Sequence, residues 1–332
     1  MKPQTALATL VGALALLYGA LGQVILGLSQ NDLQQPLLHH HNKGPHYEVL
    51  THYFKQDDPT TDDATFDVSQ DFGLYPNTTW TELVAELQAL NAQHPHRKYK
   101  LLFLQRHGEG WHNVAPADYP SDQWACYWQV LNGNSTVEWY DAELTPSGVQ
   151  QLTSFQQAWA SRVASDGVPI PQSYYVSPLR RTLQTWEILW SKLATTRPVI
   201  KELARETYGI GTESKRHNKE YLQRNYGFAD FEAGFSQFDD RWVPDRHESS
   251  QHRKYRAQQL LNDIFLHDPS VVVSVVSHSG LIKSVLKVVH HRKWGLQTGQ
   301  MVPVVVEARY NKKGDTYDLD KPWSEYRSCE TS

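Results

Sequence analysis

The stretch that decides the fold is VVVSVV at residues 271–276, which runs into SHSG (277–280) and then into LIKSVLKVVHH (281–291) with helical spacing of its apolar residues. A continuous β-branched run is typical of a strand buried on both faces of a parallel sheet. Two other runs have the same form: KLLFLQ (100–105) precedes RHGE, and SYYV (173–176) precedes SPLRRT and a helix-like segment at 183–193. This alternation predicts an α/β fold, a three-layer α/β/α sandwich around a mostly parallel sheet.

The composition is that of a globular protein without a nucleic-acid partner. The chain has 332 residues, and 32 Lys and Arg stand against 36 Asp and Glu, which gives a net charge of −4. No excess of cations is available to displace counterions from a phosphate backbone. Apolar residues make up 40% and charged residues 20%, which excludes collagen-like, coiled-coil and wholly disordered chains.

The first thirty residues differ from the rest of the chain. Lys2 is followed by an uncharged, apolar run at 7–28, which is typical of a secretory targeting segment. The run could cross a bilayer, which takes about 20 residues, and Ala20 and Gly22 also fit a cleavage site before Gln23. Residues 1–29 are therefore interpreted as a signal peptide or a signal anchor. A cleaved signal peptide predicts a secreted protein, and an uncleaved anchor predicts a type II membrane protein; in both cases the main domain faces the lumen.

Two further features bear on the compartment. Asn77 and Asn134 each begin an Asn-X-Ser/Thr triplet, so both are candidate glycosylation sites of a lumenal chain. Cys126 and Cys329 are the only cysteines. They would be able to pair in an oxidising compartment, but two separate buried thiols are an equally good interpretation of the sequence.

The chain divides into four segments. After the targeting segment, residues 30–97 are polar and irregular and are interpreted as an N-terminal extension over the main domain, with a helix predicted at 81–90. Residues 98–310 form the predicted catalytic domain, and residues 311–332 a C-terminal tail. The triplet His39-His40-His41 is interpreted as a solvated run, with metal binding as the alternative.

Charged and nucleophilic side chains follow each of the three predicted strands. Ligands of open α/β sheets bind beyond the carboxyl ends of the strands, so Arg106, His107, Arg180 or Arg181, and His278 should meet in one crevice. The planar guanidinium group matches phosphate oxygens, and a neutral imidazole can attack phosphorus. The sequence therefore predicts a phosphate ligand in this crevice.

These residues resemble the motifs of the histidine phosphatase superfamily, also called phosphoglycerate mutase-like proteins. RHGEGWHN (106–113) and SPLRRTLQT (177–185) are similar to its first two motifs, RETYG (205–209) to the segment with its acid, and SHSG (277–280) to its late histidine. ELTPSG (143–148) is similar to the start of the helix after the first motif. The residues of the first two motifs look most like those of the fungal and plant phosphomutase-like proteins. At one position the sequence differs: ESKR (213–216) stands where that group has Cys-Asp-x-Arg.

The resemblance implies a mechanism and a set of site residues. Neutral His107 would attack phosphorus to give a phosphohistidine, while Glu206 would protonate the leaving oxygen and then activate water. The catalytic residues would be His107, Glu206 and His278. The phosphate-binding residues would be Arg106, Asn113, Arg181 and His278. The resemblance implies no metal or other cofactor, and the expected partner is a small phosphorylated substrate.

The sequence leaves several alternatives open. A phosphomutase would use the same residues, and a non-catalytic phospholigand-binding protein would lack one of them. A zinc site of His107, His112 and His278 is disfavoured because the neighbouring guanidinium groups would repel the cation. Arg180 is expected to be a solvated neighbour of Arg181. Glu202 and Glu109 are the alternatives to Glu206 as proton donor.

Overall fold

The structure, a computed structural model, describes residues 44–329. The strands are β1 (Pro45–Val49), β2 (Arg97–Arg106), β3 (Ser173–Val176), β4 (Val199–Ile200), β5 (Asp230–Phe231), β6 (Arg246–His247), β7 (Val272–Ser277), β8 (Met301–Lys313) and β9 (Ser324–Glu325). The α-helices are α1 (Trp80–Gln93), α2 (Trp111–Val114), α3 (Ser121–Cys126), α4 (Pro146–Asp166), α5 (Arg180–Trp190), α6 (Lys219–Asn225), α7 (Ser250–His267) and α8 (Ser279–Val288). Short 3₁₀ turns include Glu202–Ala204 and Thr212–Ser214.

The central sheet has seven strands in the order β1-β8-β2-β7-β3-β4-β5. Strands β2, β7, β3, β4 and β5 run parallel to one another, whereas β8 is antiparallel to both of its neighbours. A sheet that is parallel over most of its width and carries helices between its strands is the predicted α/β fold. The fold prediction is therefore confirmed.

The side chains of the central strands alternate between two hydrophobic cores. In β2, Leu101 and Phe103 pack with α1, α4 and α5 on one face, whereas Leu102 and Leu104 pack with α7 and α8 on the other. Successive side chains of a strand point to opposite faces, so a fully apolar run is stable only when helices cover both. The result is the expected three layers.

Residues 44–97 and 311–329, which flank the predicted catalytic domain, take part in the same compact unit as that domain. Strand β1 lies in the segment interpreted as an extension, yet it pairs with β8 and forms one edge of the sheet. Helix α1 is longer than the 81–90 helix predicted, and Thr79 caps its amino end. In the tail segment, β9 pairs with β6.

Helix α8 is shorter at its carboxyl end than the sequence predicts. The apolar spacing extends the predicted helix to residue 291, but the helix ends at Val288. His290 has φ of 59°, a left-handed conformation that cannot continue a right-handed helix. The spacing of apolar residues does not predict this change to a left-handed backbone conformation.

Cys126 and Cys329 form a disulfide, which resolves the alternative that the sequence left open. The bond joins the end of α3 to the end of the described chain, and the amide of Cys329 also donates to the carbonyl of Cys126 at 3.2 Å. The tail is thereby held against the segment that follows the first motif and contains α3.

Among the helices between residues 44 and 329, none is both long and apolar enough to span a bilayer. The predicted targeting segment at 1–29 and the triplet His39-His40-His41 lie outside the described residues.

Candidate active site

The site lies where β2, β3 and β7 end side by side. Arg106 of β2 is in register with Ser277 of β7, and the amide of His107 donates to the carbonyl of Ser277 at 3.1 Å. Val176 of β3 pairs with Val276 of β7, so the second motif begins at the same sheet edge. Because parallel strands end at one edge, three motifs that are far apart in the chain come together here.

The ring of His107 is held in one tautomer by its own loop. Its Nδ1 lies 2.7 Å from the carbonyl oxygen of Gly108, which can only accept a hydrogen bond. Nδ1 must therefore carry the proton, which leaves the lone pair on Nε2. The amide of Gly108 donates to Thr185 Oγ1 at 3.1 Å, which fixes the loop against α5. His107 is thus prepared to act as a nucleophile through Nε2.

His278 lies beside His107, with 5.1 Å between the ring centroids. Its Nε2 is 2.7 Å from Ser177 Oγ, whereas its Nδ1 is buried and has no hydrogen-bond partner within the described chain. If the Ser177 hydroxyl donates to Nε2, Nδ1 carries a proton. That N–H would suit a phosphate oxygen, because an oxyanion accepts and never donates.

A third imidazole, His112, lies on α2 with its ring centroid 5.1 Å from that of His107. Its Nδ1 is also buried without a partner within residues 44–329. Burial lowers the pKa values of His107, His112 and His278 well below the ordinary value, and the charge of Arg181 lowers them further. All three rings are therefore neutral near pH 7.

Arg181 and Arg106 supply the positive charge of the site. Arg181 is 1% exposed, and its Nη1 donates to the carbonyl of Glu213 at 2.7 Å. Arg106 donates from Nη1 to the carbonyl of Leu296 at 2.7 Å. The Nε atoms of both arginines are buried without a partner in the part of the chain that the structure describes. Buried donors of this kind are usually paired, and a phosphate dianion would accept from them.

Arg180 is not the solvated neighbour that the sequence predicts. It is 8% exposed, forms ion pairs with Glu143 and Glu138, and its backbone amide donates to Asp141 at 2.8 Å. Successive residues in the first turn of a helix point in different directions, so Arg180 turns toward these acids while Arg181 faces the histidines. This placement agrees with the expectation that Arg181, and not Arg180, is the phosphate-binding residue.

Glu206 lies against the amino end of α8. Its Oε1 accepts from the Thr207 amide at 2.9 Å, and a Cβ built on Gly280 would lie 2.3 Å from the same oxygen. Glu206 also acts electrostatically on Arg106 and Arg181, which it stabilises in the charged form. The late SHSG motif thus carries His278 and, two residues on, the glycine that leaves room for this carboxylate.

Sequence reasoning missed a second carboxyl group at the site, that of Glu213. Its Oε2 is buried without a partner among the residues described, and burial raises the pKa of its carboxyl to about 7, against the lowering effect of Arg181. Glu213 and Glu206 act on each other electrostatically, which raises that pKa further. The only signal in the sequence was the replacement of the motif Cys-Asp-x-Arg by ESKR.

The other two candidate acids have structural roles. Glu202 forms buried ion pairs with Arg205 and Arg216. Glu109 accepts from Thr145 Oγ1 at 2.7 Å, next to the start of α4. These contacts hold the loops that carry Glu206 and His107, respectively, and they leave Glu206 and Glu213 as the carboxyl groups of the site.

Asn113 has a capping role in the structure. Its Oδ1 accepts from the amide of Gly110 at 3.0 Å, which closes the first turn of α2, and its side chain lies on an exposed part of that short helix. Only its Nδ2 group remains for a phosphate contact. Asn113 therefore acts on the site first of all by positioning the helix that carries His112.

Comparison with known proteins agrees with this geometry. Residues 102–304 match the model of the histidine phosphatase superfamily (branch 1). The chain is 44% identical over 284 residues to phosphomutase-like protein 3 of Candida albicans, which covers 84% of this chain and 87% of that protein. It is 38% identical over 310 residues to a probable phosphoglycerate mutase of Arthroderma benhamiae, with 86% and 92% covered.

The chain therefore belongs to the histidine phosphatase superfamily, as its motifs predict. Among solved structures it resembles mycobacterial hydrolase 1, with a TM-score of 0.39 and 16% identity over 63% of this chain and 92% of that one.

Proposed function

We propose that the protein is a phosphatase that hydrolyses small phosphate monoesters through a phosphohistidine intermediate on His107. The observation that carries this proposal is the neutral, tautomer-fixed ring of His107 under the charges of buried Arg181 and half-buried Arg106. A neutral imidazole has a lone pair with which to attack phosphorus, and the guanidinium groups stabilise the charge on the equatorial oxygens.

In the first step, the Nε2–P bond forms while the bond from phosphorus to the ester oxygen breaks. A carboxyl group delivers a proton to the departing oxygen, and we assign this proton to Glu206, with Glu213 beside it. In the second step, the same carboxylate takes a proton from water as the water oxygen attacks phosphorus and the Nε2–P bond breaks. The products are the free alcohol and inorganic phosphate.

His278 and Arg181 would remain bound to the phosphoryl oxygens throughout both steps. Because the protein donors already point into a buried site, little reorganisation is needed as charge develops. The resemblance implies no metal for this reaction.

The proposal is tested on the full chain without added metal. Phosphate release should be measured over a panel of sugar phosphates, nucleotides, inositol phosphates and phosphopeptides. His107→Ala should lower the rate by about 10³-fold or more, because the substitution removes the attacking nitrogen. The acid-labile, base-stable phosphoenzyme formed by wild type should be missing from this variant. The matched control is His267→Ala, which removes an exposed histidine at the carboxyl end of α7. Wild-type activity in His107→Ala would contradict the mechanism.

The second candidate is a phosphomutase, since the two fungal relatives carry mutase names. It would transfer the phosphoryl group from His107 to an acceptor hydroxyl instead of water. Labelled phosphate ester, incubated with excess acceptor alcohol, separates the two activities: a hydrolase releases inorganic phosphate, whereas a mutase returns the label to an organic ester.

We also propose that the protein enters the secretory pathway. The disulfide between Cys126 and Cys329 supports an oxidising compartment, and Asn77 and Asn134 are both exposed, as glycosylation requires. Asn77→Gln and Asn134→Gln should each reduce the shift in mass that an endoglycosidase produces on the native protein. A native protein of unchanged mass after endoglycosidase treatment would contradict this location for both sites.

A further inference from the structure

A second cluster of chemically active side chains lies away from the phosphate site, at the β1 edge of the sheet. His46 and Glu48 stand two residues apart in β1 and therefore face the same side. Their Nε2 and Oε2 atoms are 3.0 Å apart, and Glu48 Oε2 is 3.7 Å from Nδ1 of His290, which follows α8. None of these residues belongs to the candidate active site.

We propose that His46, Glu48 and His290 bind a divalent transition metal ion, with zinc as the best match. One nitrogen or oxygen atom from each of the three lies within 4.8 Å of the others. Zinc binds imidazole nitrogen and carboxylate oxygen at about 2.0–2.2 Å, so two ligand atoms in a tetrahedral site lie about 3.3 Å apart. The separations in the cluster bracket this value, and small rotations of the side chains would complete the site. A water molecule would be the fourth ligand.

Asp315 supplies the outer contact that metal-bound histidines usually have. Its Oδ2 lies 3.2 Å from Nε2 of His290, on the far side of the ring from Glu48. In this structure Nδ1 of His290 lies 3.0 Å from the carbonyl oxygen of Tyr47, which can only accept, so this nitrogen carries the proton. Metal binding would therefore replace this hydrogen bond: Nδ1 would give up its proton and present its lone pair to the metal, while Nε2–H would donate to Asp315. The ring of His290 therefore has an acid on each side: Glu48 would be a fellow ligand, and Asp315 would stabilise the tautomer that binds the metal.

The backbone at His290 holds the ring in this position. Its φ of 59° is left-handed, and the position just after a helix commonly has glycine in that conformation. Histidine is unfavourable in this backbone conformation, but here its ring stacks on His46, with ring centroids 5.2 Å apart.

One cation competes for the site. Lys312 Nζ lies 3.1 Å from Nε2 of His46. Lys312 is exposed at the end of β8, and its long side chain can move into solvent when a metal takes its place. The metal would then join the edge strand β1 to the segment after α8. We infer a structural role, since the metal would hold the amino end of the described chain on the sheet.

The test uses the full chain, purified without a histidine tag, and Zn²⁺ alone as the probe in isothermal titration calorimetry. We expect one ion per chain at this site. Co²⁺ should give the visible absorption bands of a four-coordinate site with nitrogen and oxygen ligands. Zn²⁺ in hundredfold excess over its Kd should also raise the Tm by about 5 °C or more.

Glu48→Gln and His290→Asn remove one ligand each, and asparagine tolerates the left-handed backbone, so both variants should fold. Each should weaken Zn²⁺ binding more than Asp315→Asn, for which we expect about a tenfold loss. Lys312→Met should bind Zn²⁺ at least as tightly as wild type. His267→Ala, which removes another histidine paired with a carboxylate, should bind as wild type does.

The triplet His39-His40-His41 is the competing metal site in the same chain. Replacing all three by alanine should leave the high-affinity ion in place. Loss of that ion in this triple variant, or unchanged affinity in both Glu48→Gln and His290→Asn, would overturn the proposal, as would weaker binding in Lys312→Met. Phosphatase activity does not enter any of these measurements, so their outcome is independent of the proposed function.

Discussion

Replacing Gly280 by alanine should lower activity without lowering stability. The added Cβ would lie 2.3 Å from Glu206 Oε1, whereas carbon and oxygen approach no closer than about 3.3 Å in ordinary contacts. The carboxyl group must therefore retreat by about 1 Å, and a misplacement of that size can cost a factor of about 100 in rate. A hundredfold loss corresponds to about 2.7 kcal/mol of transition-state stabilisation.

The free energy of unfolding should behave differently. The clashing atom is the end of a flexible side chain, and alanine is a better helix former than glycine by up to about 1 kcal/mol, so α8 should not be weakened. Urea denaturation should give Gly280→Ala a stability equal to or above that of wild type. Its kcat/KM should fall about 100-fold for an alkyl phosphate and much less for an aryl phosphate, whose leaving group needs no proton.

The matched control is Gly227→Ala, because a Cβ at Gly227 would meet only the carbonyl of Gln223 at 3.4 Å, an ordinary contact. It should leave both activity and stability unchanged. Wild-type kcat/KM in Gly280→Ala would refute the assignment of Glu206 as the proton donor. Equal losses on alkyl and aryl phosphates would show that the substitution acts on phosphate binding instead.

Arg181→Ala should lower kcat/KM by about 10²–10³-fold, as expected for loss of a buried oxyanion donor, whereas Arg180→Ala should cost less than about tenfold because its partners are half-exposed acids; steady-state kinetics showing equal losses would contradict the geometry. The pH–rate profile should keep its activity well below pH 6.5, because the pKa of His107 is lowered, and should decline near pH 7 if Glu213 shares the acidic proton. Glu213→Gln should displace that decline. Because the raised pKa of Glu213 makes the folded state lose stability as pH rises from about 4.5 to 7, the variant should gain roughly 3 kcal/mol in unfolding free energy over wild type at pH 8 and nothing at pH 4 in urea titrations; the same difference at both pH values would exclude a titrating Glu213. Cys329→Ser should lower the free energy of unfolding by about 3 kcal/mol, since the disulfide closes a long loop, and the difference should vanish when wild type is measured under reducing conditions.

The motifs predicted most of the site because its residues follow strand ends. Arg106, His107 and His278 each come directly after or at the end of an apolar run, and the topology of a parallel sheet then requires them to meet. Glu206 lies in a loop, and only its resemblance to a family motif pointed to it. Glu213 carried no such signal, since a carboxyl group becomes a candidate acid through its burial, and burial depends on contacts from distant parts of the chain.

The sequence by itself determined the layered α/β fold and the edge of the sheet at which the site lies. Both follow from short-range patterns: β-branched runs, helical spacing and the order of residues after each strand. The preference for Arg181 over Arg180 came from the resemblance to the family's second motif. Only the tertiary structure decided the tautomer of His107, the pairing of Cys126 with Cys329, and the meeting of β1 with the end of α8 around His290. Each of these depends on which distant atoms come within a few ångströms, and that is settled by the packing of the whole chain and not by any local stretch of it.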